Sequence, residues 1–279
     1  MFTPAEIASY YNSTQNHYIN WWNLGRQLSL HYGIRDINAR TFAESLVNTN
    51  RVMMEICGIT ATDKVLDAGC GVGGAAIFLS KTKKAEVVGI SLSDKQIAFA
   101  NEKALKQYPD AKVSFEVMDF TRTTFPDESF NIIWACESVC QADKKAFINE
   151  SYRLLRKGGK LIMADFFLTI ENQEDKNSWI RKWCDTWAIS DLVSCEIFKD
   201  ILTTGGFKSI KSFDYTKNIA QSARRMYLAF ILGAIPAELY NLFNPKISRF
   251  AKNHYKCGFY QYKALEEKLW KYMIVFTVK

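Results

Sequence analysis

The chain has 279 residues and is nearly half apolar, so it is long enough to bury a sizeable core as one large domain or one domain with a cap. Its net charge of +7 is concentrated after residue 216, where eleven Lys and Arg residues stand against three acids. Seven irregularly spaced cysteines, an odd number, favour a reducing compartment over a disulfide framework. The three histidines lack metal-ligand spacing, so we expect no metal site.

The N-terminus lacks the basic start and apolar core of a secretory signal, and the apolar run from Met226 to Leu232 is too short to span a bilayer. We therefore expect a globular, cytoplasmic protein. The basic C-terminal third fits a solvated surface, or alternatively an anionic membrane surface, a nucleic acid or an acidic substrate. The basic residues are dispersed and carry no nucleic-acid-binding motif, so no nucleic acid is expected. The oligomeric state stays open.

Residues 1–62 are predicted to form a helical segment. Its first helix starts near Pro4, and Asn12-Ser13 predicts a break soon afterwards. A second helix is predicted over Asn38 to Cys57, where apolar residues recur at helical spacing, and Gly58 is its expected C-cap.

Residues 63–170 read as a nucleotide-binding core. A short apolar strand ends in Asp67-Ala68 and leads into the turn Gly69-Cys70-Gly71-Val72-Gly73, which a helix follows. Glycine permits positive φ and close approach of a ligand, and the helix N-terminus offers unpaired N–H groups. Asp67 can interact with a ligand's cationic amino group. A glycine turn alone also fits a dinucleotide-binding protein.

The later strands help to decide whether the glycine turn belongs to a dinucleotide-binding protein. The second strand ends in Ser91, where a dinucleotide site has an acid, which argues against NAD. One hydroxyl makes a single ribose contact and not the paired contacts of a carboxylate. The third strand ends in Asp119, which fits either a ligand contact or a helix N-cap. A fourth strand leads to Cys136 and Glu137, and a Gly158-Gly159 turn precedes the fifth.

Residues 171–279 are predicted to complete the core and to add a helical lid. Trp179, Trp183 and Trp187 recur every four residues and share one helix face, either as core or as a substrate wall. Residues 216–262 are predicted to form a lid of two or three helices, interrupted at Pro236 and again at Pro245. The last strand is predicted over Leu269 to Val278.

The ordered motifs Asp67-Ala-Gly-Cys-Gly-Val-Gly73, Met118-Asp119, Phe125-Pro-Asp-Glu-Ser-Phe-Asn131 and Leu154-Leu-Arg-Lys-Gly-Gly159 resemble the class I S-adenosylmethionine-dependent methyltransferases. The likeness is tight over residues 60–170 and loose elsewhere. The string from Gly89 to Gln96 resembles the small-molecule branch that includes tocopherol and sterol C-methyltransferases. The resemblance implies an α/β, Rossmann-like fold with a seven-stranded, mostly parallel sheet and an antiparallel last strand. The implied fold also includes N-terminal helices and a helical lid inserted before the last strand.

The resemblance also implies S-adenosylmethionine as cofactor and S-adenosylhomocysteine as product, with no metal. The implied cofactor-binding residues are Asp67, Gly69, Cys70, Gly71, Gly73, Ser91, Leu92, Gln96, Asp119, Phe120 and Cys136. Within this set, Ser91 and Gln96 share the ribose contact. Asp119 accepts from the adenine amino group, and Phe120 donates its backbone N–H or stacks.

Two residues are candidates for the catalytic base, His31 and Glu137. Glu137 alternatively orients the cofactor's methionyl end or a substrate, or caps the following helix. His31 and Tyr32 lie in an aromatic-glycine segment that resembles one closing the pocket in tocopherol- and sterol-type enzymes. The expected substrate-pocket residues are Tyr11, Tyr32, Trp183, Tyr227 and Tyr255.

Cys140 and Gln141 stand where the cyclopropane synthases carry a glutamate-histidine pair, so ring formation is disfavoured. The motif that grips a flipped base's amino group in nucleic-acid enzymes is absent after the fourth strand. We expect methyl transfer to a small, largely apolar acceptor such as a prenylated phenol or quinone, a sterol or a terpenoid. The alternatives are N- or O-methylation of a polar small molecule or lipid headgroup, and a non-catalytic S-adenosylmethionine-binding protein.

Overall fold

A computed structural model describes residues 2–22 and 24–279, apart from the side chains of Asn20, Trp21, Gly25 and Arg26. The described chain builds one seven-stranded sheet in the order β3-β2-β1-β4-β5-β7-β6. The strands are β1 (Lys64–Ala68), β2 (Glu86–Ser91), β3 (Val113–Val117), β4 (Phe130–Cys136), β5 (Leu155–Leu168), β6 (Lys208–Asp214) and β7 (Trp270–Val278). Strands β1 to β5 pair in parallel, and β7 is antiparallel to both neighbours. The expected sheet is confirmed.

Helices cover the sheet and extend from its edge. They are α1 (Pro4–Trp21), α2 (Leu24–Gln27), α3 (Phe42–Cys57), α4 (Gly74–Lys83), α5 (Asp94–Gln107), α6 (Lys144–Leu154), α7 (Trp179–Trp187), α8 (Cys195–Thr204), α9 (Thr216–Phe243), α10 (Arg249–Asn253) and α11 (Cys257–Glu266). Alternate residues of each central strand enter opposite clusters: Val65 belongs to one and Leu66 to the other. The central strands are therefore buried on both faces, as their continuous apolar sequences require.

The predicted break at Asn12-Ser13 is wrong, because α1 runs on to Trp21. The Ser13 and Thr14 hydroxyls donate to the Tyr10 carbonyl within the helix. Asn12 bonds outward, since its amide donates to Asp94 Oδ1 and its Oδ1 accepts from Ser93 at the start of α5. These contacts outweigh the weak helix propensity of the three residues.

The predicted helix from Asn38 begins four residues later, at Phe42. Asn38 instead donates its backbone N–H to Asp36 Oδ1 in a turn. Thr41 and Glu44 form a capping box that fixes the helix start. Gly58 ends the helix with φ 65°, which confirms it as the C-cap.

The predicted interruption at Pro236 is also wrong, because α9 is one helix of 28 residues with Pro236 inside it. The apolar run from Met226 to Leu232 is therefore part of a longer apolar helix. By length and composition α9 could cross a membrane, and only 6% of its most apolar 18-residue window is buried. Pro245 lies two residues beyond Phe243, so the second expected break coincides with the end of α9.

Candidate functional site

The strand order reverses between β1 and β4, and a cavity opens at the carboxyl ends of these two strands. Ligands of open α/β sheets bind at such a reversal, because the loops leave the two strands in opposite directions. Twelve of the predicted site residues line this cavity together: Tyr11, His31, Asp67, Gly69, Cys70, Gly71, Ser91, Leu92, Gln96, Phe120, Cys136 and Glu137.

The glycine turn needs its glycines. Gly69, Gly71 and Gly73 have φ of 89°, 53° and 84°. A Cβ on Gly69 would lie 2.4 Å from the Ser138 Cβ, and one on Gly73 would lie 2.6 Å from the Phe115 ring. Gly73 does not line the cavity; it is the N-cap of α4, so it aims the helix N-terminus at the turn.

Asp67 presents a buried carboxyl group to the cavity. It is 2% exposed, and its Oδ2 has no hydrogen-bond partner in the described chain. Burial raises the pKa of Asp67 to about 7, although a hydrogen bond from the Ala76 N–H opposes the shift. Near neutral pH this group therefore changes charge easily, and a cation placed beside it would favour the carboxylate.

Ser91 and Gln96 are brought together as the sequence predicts. The Ser91 hydroxyl donates to Gln96 Oε1 at 2.9 Å and accepts from the Ser93 N–H at 3.2 Å. The Ser93 hydroxyl caps α5 by accepting from the Gln96 N–H at 3.1 Å. The cap thus fixes the first turn of α5, which places the Gln96 side chain over the end of β2.

The loop after β3 holds Asp119 and Phe120. Asp119 Oδ1 accepts from the backbone N–H and the hydroxyl of Thr121, at 2.8 and 2.7 Å. The alternative of a helix N-cap is wrong, because a loop rather than a helix connects β3 to β4 in the described chain. Asp119 lies beside the cavity rather than on its wall, whereas Phe120 lines it and packs edge-on against Phe147.

Glu137 ties three parts of the chain together after β4. Its Oε1 accepts from the Tyr32 N–H at 2.7 Å and from the Tyr272 hydroxyl at 2.8 Å. The carboxylate therefore bonds the N-terminal segment and β7, and does not cap a helix. Burial raises the pKa of Glu137 well above its usual range, which the two hydrogen bonds only partly oppose. Its φ of 52° is a strained value for a residue with a side chain.

His31 offers a lone pair to the cavity. Its Nδ1 lies 2.9 Å from the Tyr32 carbonyl oxygen, and because a carbonyl can only accept, Nδ1 carries the proton. Nε2 is then an acceptor, and it has no partner within the described residues. Burial lowers the pKa of His31, so the ring is neutral at physiological pH.

Three donor groups of this region, His31, Cys136 and Glu137, lie within 4.8 Å of one another, close enough to share a metal ion. A metal needs the thiolate and the carboxylate. Burial raises the pKa of the Cys136 thiol and of Glu137 well above their usual values. In the metal-free protein both groups therefore hold their protons, which a metal ion would have to displace.

Four of the five predicted substrate-pocket residues do not line the cavity. Trp183 packs against Phe166 and Trp270, and Tyr32 is 1% exposed within the same aromatic cluster. Tyr227 stacks on Tyr262 between α9 and α11. Tyr255 stacks on Phe230 and bonds Glu238. Aromatic packing within the core and between the lid helices holds these side chains away from the cavity.

The cover of the cavity comes instead from α1, of which the sequence predicted only Tyr11 as a pocket residue. Tyr10, Tyr11 and Tyr18 of α1 line it, and the Tyr11 hydroxyl donates to Gln141 Oε1 at 2.9 Å. The Gln141 amide in turn donates to the Trp187 carbonyl. The helical spacing of the α1 tyrosines was the available signal, but the predicted break at Asn12-Ser13 concealed it.

Comparison with known proteins agrees with this geometry. Residues 65–159 match the family model of a methyltransferase domain. This part of the chain is therefore similar to a methyltransferase domain. This domain runs from β1 into β5 and contains the glycine turn, the Ser91–Gln96 pair and Glu137.

The curated relatives of the methyltransferase domain act on small molecules by name. The chain is 34% identical over 167 residues to 27-O-demethylrifamycin SV methyltransferase of Amycolatopsis mediterranei, which covers 60% of each chain. It is 28% identical over 215 residues to sterol 24-C-methyltransferase of Kluyveromyces lactis, covering 75% of this chain and 56% of that protein. The chain thus spans less than two thirds of the length of either relative. The resemblance to the small-molecule branch is confirmed.

Solved structures show the same fold over the whole chain. The crystal structure of the [4+2]-cyclase SpnF superposes with a TM-score of 0.81 at 17% identity, covering 99% of this chain and 96% of that one. At this identity the likeness establishes the fold alone. The class I methyltransferase fold expected from the sequence is confirmed.

Proposed function

We propose that the chain transfers a methyl group from S-adenosylmethionine to a small, largely apolar acceptor. One observation carries the proposal: the glycine turn, the unpaired Asp67 oxygen and the Ser91–Gln96 pair face a single cavity in a methyltransferase domain. The sulfonium methyl group is already electrophilic when the cofactor is bound. The chain then has to align the acceptor in line with it and to exclude water.

The proposed cofactor contacts follow from groups on the cavity wall and, for Asp119, from a group beside it. Asp67 would receive the cationic amino group, because its free Oδ2 is a buried acceptor just before the glycine turn. Ser91 and Gln96 would bind the ribose hydroxyls, the Gln96 amide by donating from its N–H groups and the Ser91 oxygen by accepting, because the Ser91 proton is already donated to Gln96 Oε1. Phe120 would stack on the adenine, and Asp119 would accept from its amino group.

The acceptor side of the cavity is aromatic and apolar. Ile7 and the α1 tyrosines line it together with Phe166, Trp187 and Ile189. Such walls favour an apolar acceptor over a charged one. The small-molecule acceptors in the names of the relatives support the same class.

His31 is the group we propose as general base for an acceptor that must lose a proton. A general base must be unprotonated, must have a free lone pair and must lie within reach of the acceptor. The neutral His31 ring, its free Nε2 lone pair and its position on the cavity wall meet these three requirements. Glu137 is less suited, because burial favours its protonated form and its Oε1 already accepts two hydrogen bonds. We propose that Glu137 positions the His31–Tyr32 segment.

The test is transfer of labelled methyl groups from S-adenosylmethionine into a cell extract, followed by separation into organic, aqueous and macromolecular fractions. The blocked variant is Gly71→Asp, because a Cβ there meets Leu30 Cδ1 at 3.0 Å and φ is 53°. Gly158→Asp is the matched control: it has φ 77°, but open space surrounds its Cβ. Both variants are checked by thermal unfolding.

Label in the organic fraction, lost with Gly71→Asp and kept with Gly158→Asp, is the expected result. Label in the aqueous fraction would favour a polar small molecule or lipid headgroup instead. Label in protein or nucleic acid would contradict the proposal. Bound cofactor without any transfer would favour a non-catalytic binding protein.

A further inference from the structure

The second half of α9 carries a continuous apolar surface that no other described part of the chain covers. Its members recur three or four residues apart, so they lie along one side of the helix over about 23 Å. This apolar stripe consists of Leu228, Ile231, Leu232, Ile235, Leu239, Leu242 and Phe243, all exposed. Leu232, Ile235 and Phe243 are 73%, 75% and 78% exposed. Single exposed apolar residues are ordinary, but a contiguous stripe of this length marks an interaction surface.

The opposite side of α9 is fixed to the fold. Tyr227 and Phe230 stack on Tyr262, Phe259 and Tyr255 of the α11 region. The helices approach so closely that a Cβ on Gly258 would lie 2.3 Å from the Met226 carbonyl oxygen. The apolar stripe therefore faces outward from a packed helix pair, and it is separate from the cavity, which no described residue of α9 lines.

Positive charge brackets the apolar stripe. Arg224 and Arg225 are exposed one turn before Leu228, and Lys246 is exposed just beyond Phe243. Residues 216–256 contain seven Lys and Arg residues and a single acid, Glu238. Glu238 is engaged with Tyr255 and Lys256. The surface thus combines exposed apolar side chains with a net positive charge.

We propose that the apolar stripe docks on an anionic phospholipid surface, with α9 lying in the plane of the headgroups. The apolar side chains enter the acyl boundary while Arg224, Arg225 and Lys246 contact phosphates, which is the arrangement of an interfacial helix. A second copy of this chain is a poorer occupant, because pairing two stripes would bring two strongly basic segments together. A spanning orientation would strip α9 from its aromatic stack on α11 and expose that stack to lipid.

The experiment is flotation of the purified full chain with vesicles of two compositions, without cofactor or acceptor. One set is phosphatidylcholine alone, and the other contains about one third phosphatidylserine. Wild-type protein is expected to float with the anionic vesicles, more weakly with the neutral ones, and less as salt is raised. The result is independent of methyl transfer, so it stands or falls apart from the proposed function.

Two pairs of variants separate apolar from charged contributions. Leu232→Ser with Ile235→Ser shortens the stripe, and the matched control is Leu105→Ser with Ile170→Ser, two exposed apolar residues elsewhere. Arg224→Gln with Arg225→Gln removes charge, and Lys145→Gln with Lys157→Gln is its control. The double variant Leu232→Ser with Ile235→Ser (the stripe pair) is expected to lose at least about tenfold in vesicle affinity. The double variant Arg224→Gln with Arg225→Gln (the arginine pair) is expected to lose the preference for phosphatidylserine. Both control variants should bind as the wild type does.

Four results would overturn the proposal. Wild-type protein that binds neither vesicle, or a stripe pair that binds as wild type, would remove the lipid surface. Retention after an alkaline carbonate wash would mean that α9 inserts across the bilayer. A dimer in light scattering that the stripe pair dissociates, together with no vesicle binding, would assign the apolar stripe to a second copy.

Discussion

Asp67 is a carboxyl group whose charge depends on what fills the cavity. With a pKa raised to about 7 by burial, it is mostly protonated at about pH 6. A bound cofactor's ammonium group would favour the carboxylate, so binding of S-adenosylhomocysteine is expected to release up to about one proton there and almost none near pH 9. Calorimetry in two buffers of different ionisation enthalpy measures this release.

The variant Asp67→Asn identifies the source of the proton. It should bind more weakly and give a heat that does not depend on the buffer at about pH 6. A buffer-independent heat in the wild type, or an unchanged proton release in the variant, would assign the cofactor's amino group to another acceptor.

The Ser91–Gln96 pair should act as one unit in ribose binding. Ser91→Ala and Gln96→Ala each remove a neutral hydrogen-bonding group, so each is expected to weaken S-adenosylhomocysteine binding about three- to tenfold. Because the two side chains bond each other at 2.9 Å, the double variant should lose less than the sum of both. Gln107→Ala, an exposed glutamine at the end of α5, is the matched control. Strictly additive losses would show that the two groups contact the ligand separately.

At the level of residues, the sequence located the groups that follow strand ends but not those whose neighbours come from distant segments. Ser91, Gln96 and Glu137 were predictable because each follows a recognisable strand. The bonds from Tyr32 and Tyr272 to Glu137 were not, because they join residues 105 and 135 positions away from it. For the same reason, the sequence did not reveal the packing that keeps Trp183 and Tyr227 out of the cavity.

At the level of elements, α9 keeps a proline in its interior, and this should cost stability. Pro236 lacks the N–H that would bond the carbonyl four residues earlier, and its ring crowds that carbonyl. Pro236→Ala is therefore expected to stabilise the protein by about 1–3 kcal/mol in urea unfolding. Pro245→Ala, beyond the helix end, is the control and should change stability by less than about 0.5 kcal/mol. A neutral or destabilising Pro236→Ala would mean that α9 is interrupted at this position in solution.

The elements that sequence reasoning misjudged share one physical cause. Both α1 and α9 contain residues that ordinarily end helices, Asn12-Ser13 in one and Pro236 in the other. In both, contacts made outside the helix compensate: Ser93 and Asp94 bond Asn12, while Phe259 packs on Phe230 before Pro236 and Tyr255 bonds Glu238 after it. Local propensity could not reveal this, whereas the strands, the Gly58 cap and the glycine turn depend on local chemistry and were predicted correctly.

At the level of the whole molecule, α1 and the α10 region form a junction beside the cavity. Helix α1 provides the cover, and the α10 region holds it from behind: Phe250 packs edge-on against Tyr10, and Arg249 pairs with Glu6. The predicted lid segment thus supports the cover rather than lining the cavity itself. Its sequence position before the last strand was predictable, but its partner, α1, was not.

His254 is the central polar contact of this junction and gives it a dependence on pH. Its Nε2 lies 3.2 Å from the Tyr10 hydroxyl, and its Nδ1 lies 3.3 Å from His17 Nδ1. Burial and the neighbouring His17 lower the pKa of His254 to about 3 in the folded protein. The unfolded chain binds a proton below about pH 6.5, whereas the folded one does not, so this group makes stability fall as pH drops from about 6.5 towards 3.

His254→Gln should remove this component of acid sensitivity. At about pH 7.5 the variant is expected to be less stable than the wild type, because it loses buried contacts. Between about pH 6 and pH 4 the difference should narrow by up to about 1 kcal/mol per pH unit, because only the wild type gains a proton on unfolding. For His17→Gln, the difference in stability from the wild type should narrow less with falling pH, because His17 is less buried. Urea unfolding across this range measures both, and a difference that stays constant with pH would show that His254 is already protonated in the folded protein and that the junction is built around a charged ring.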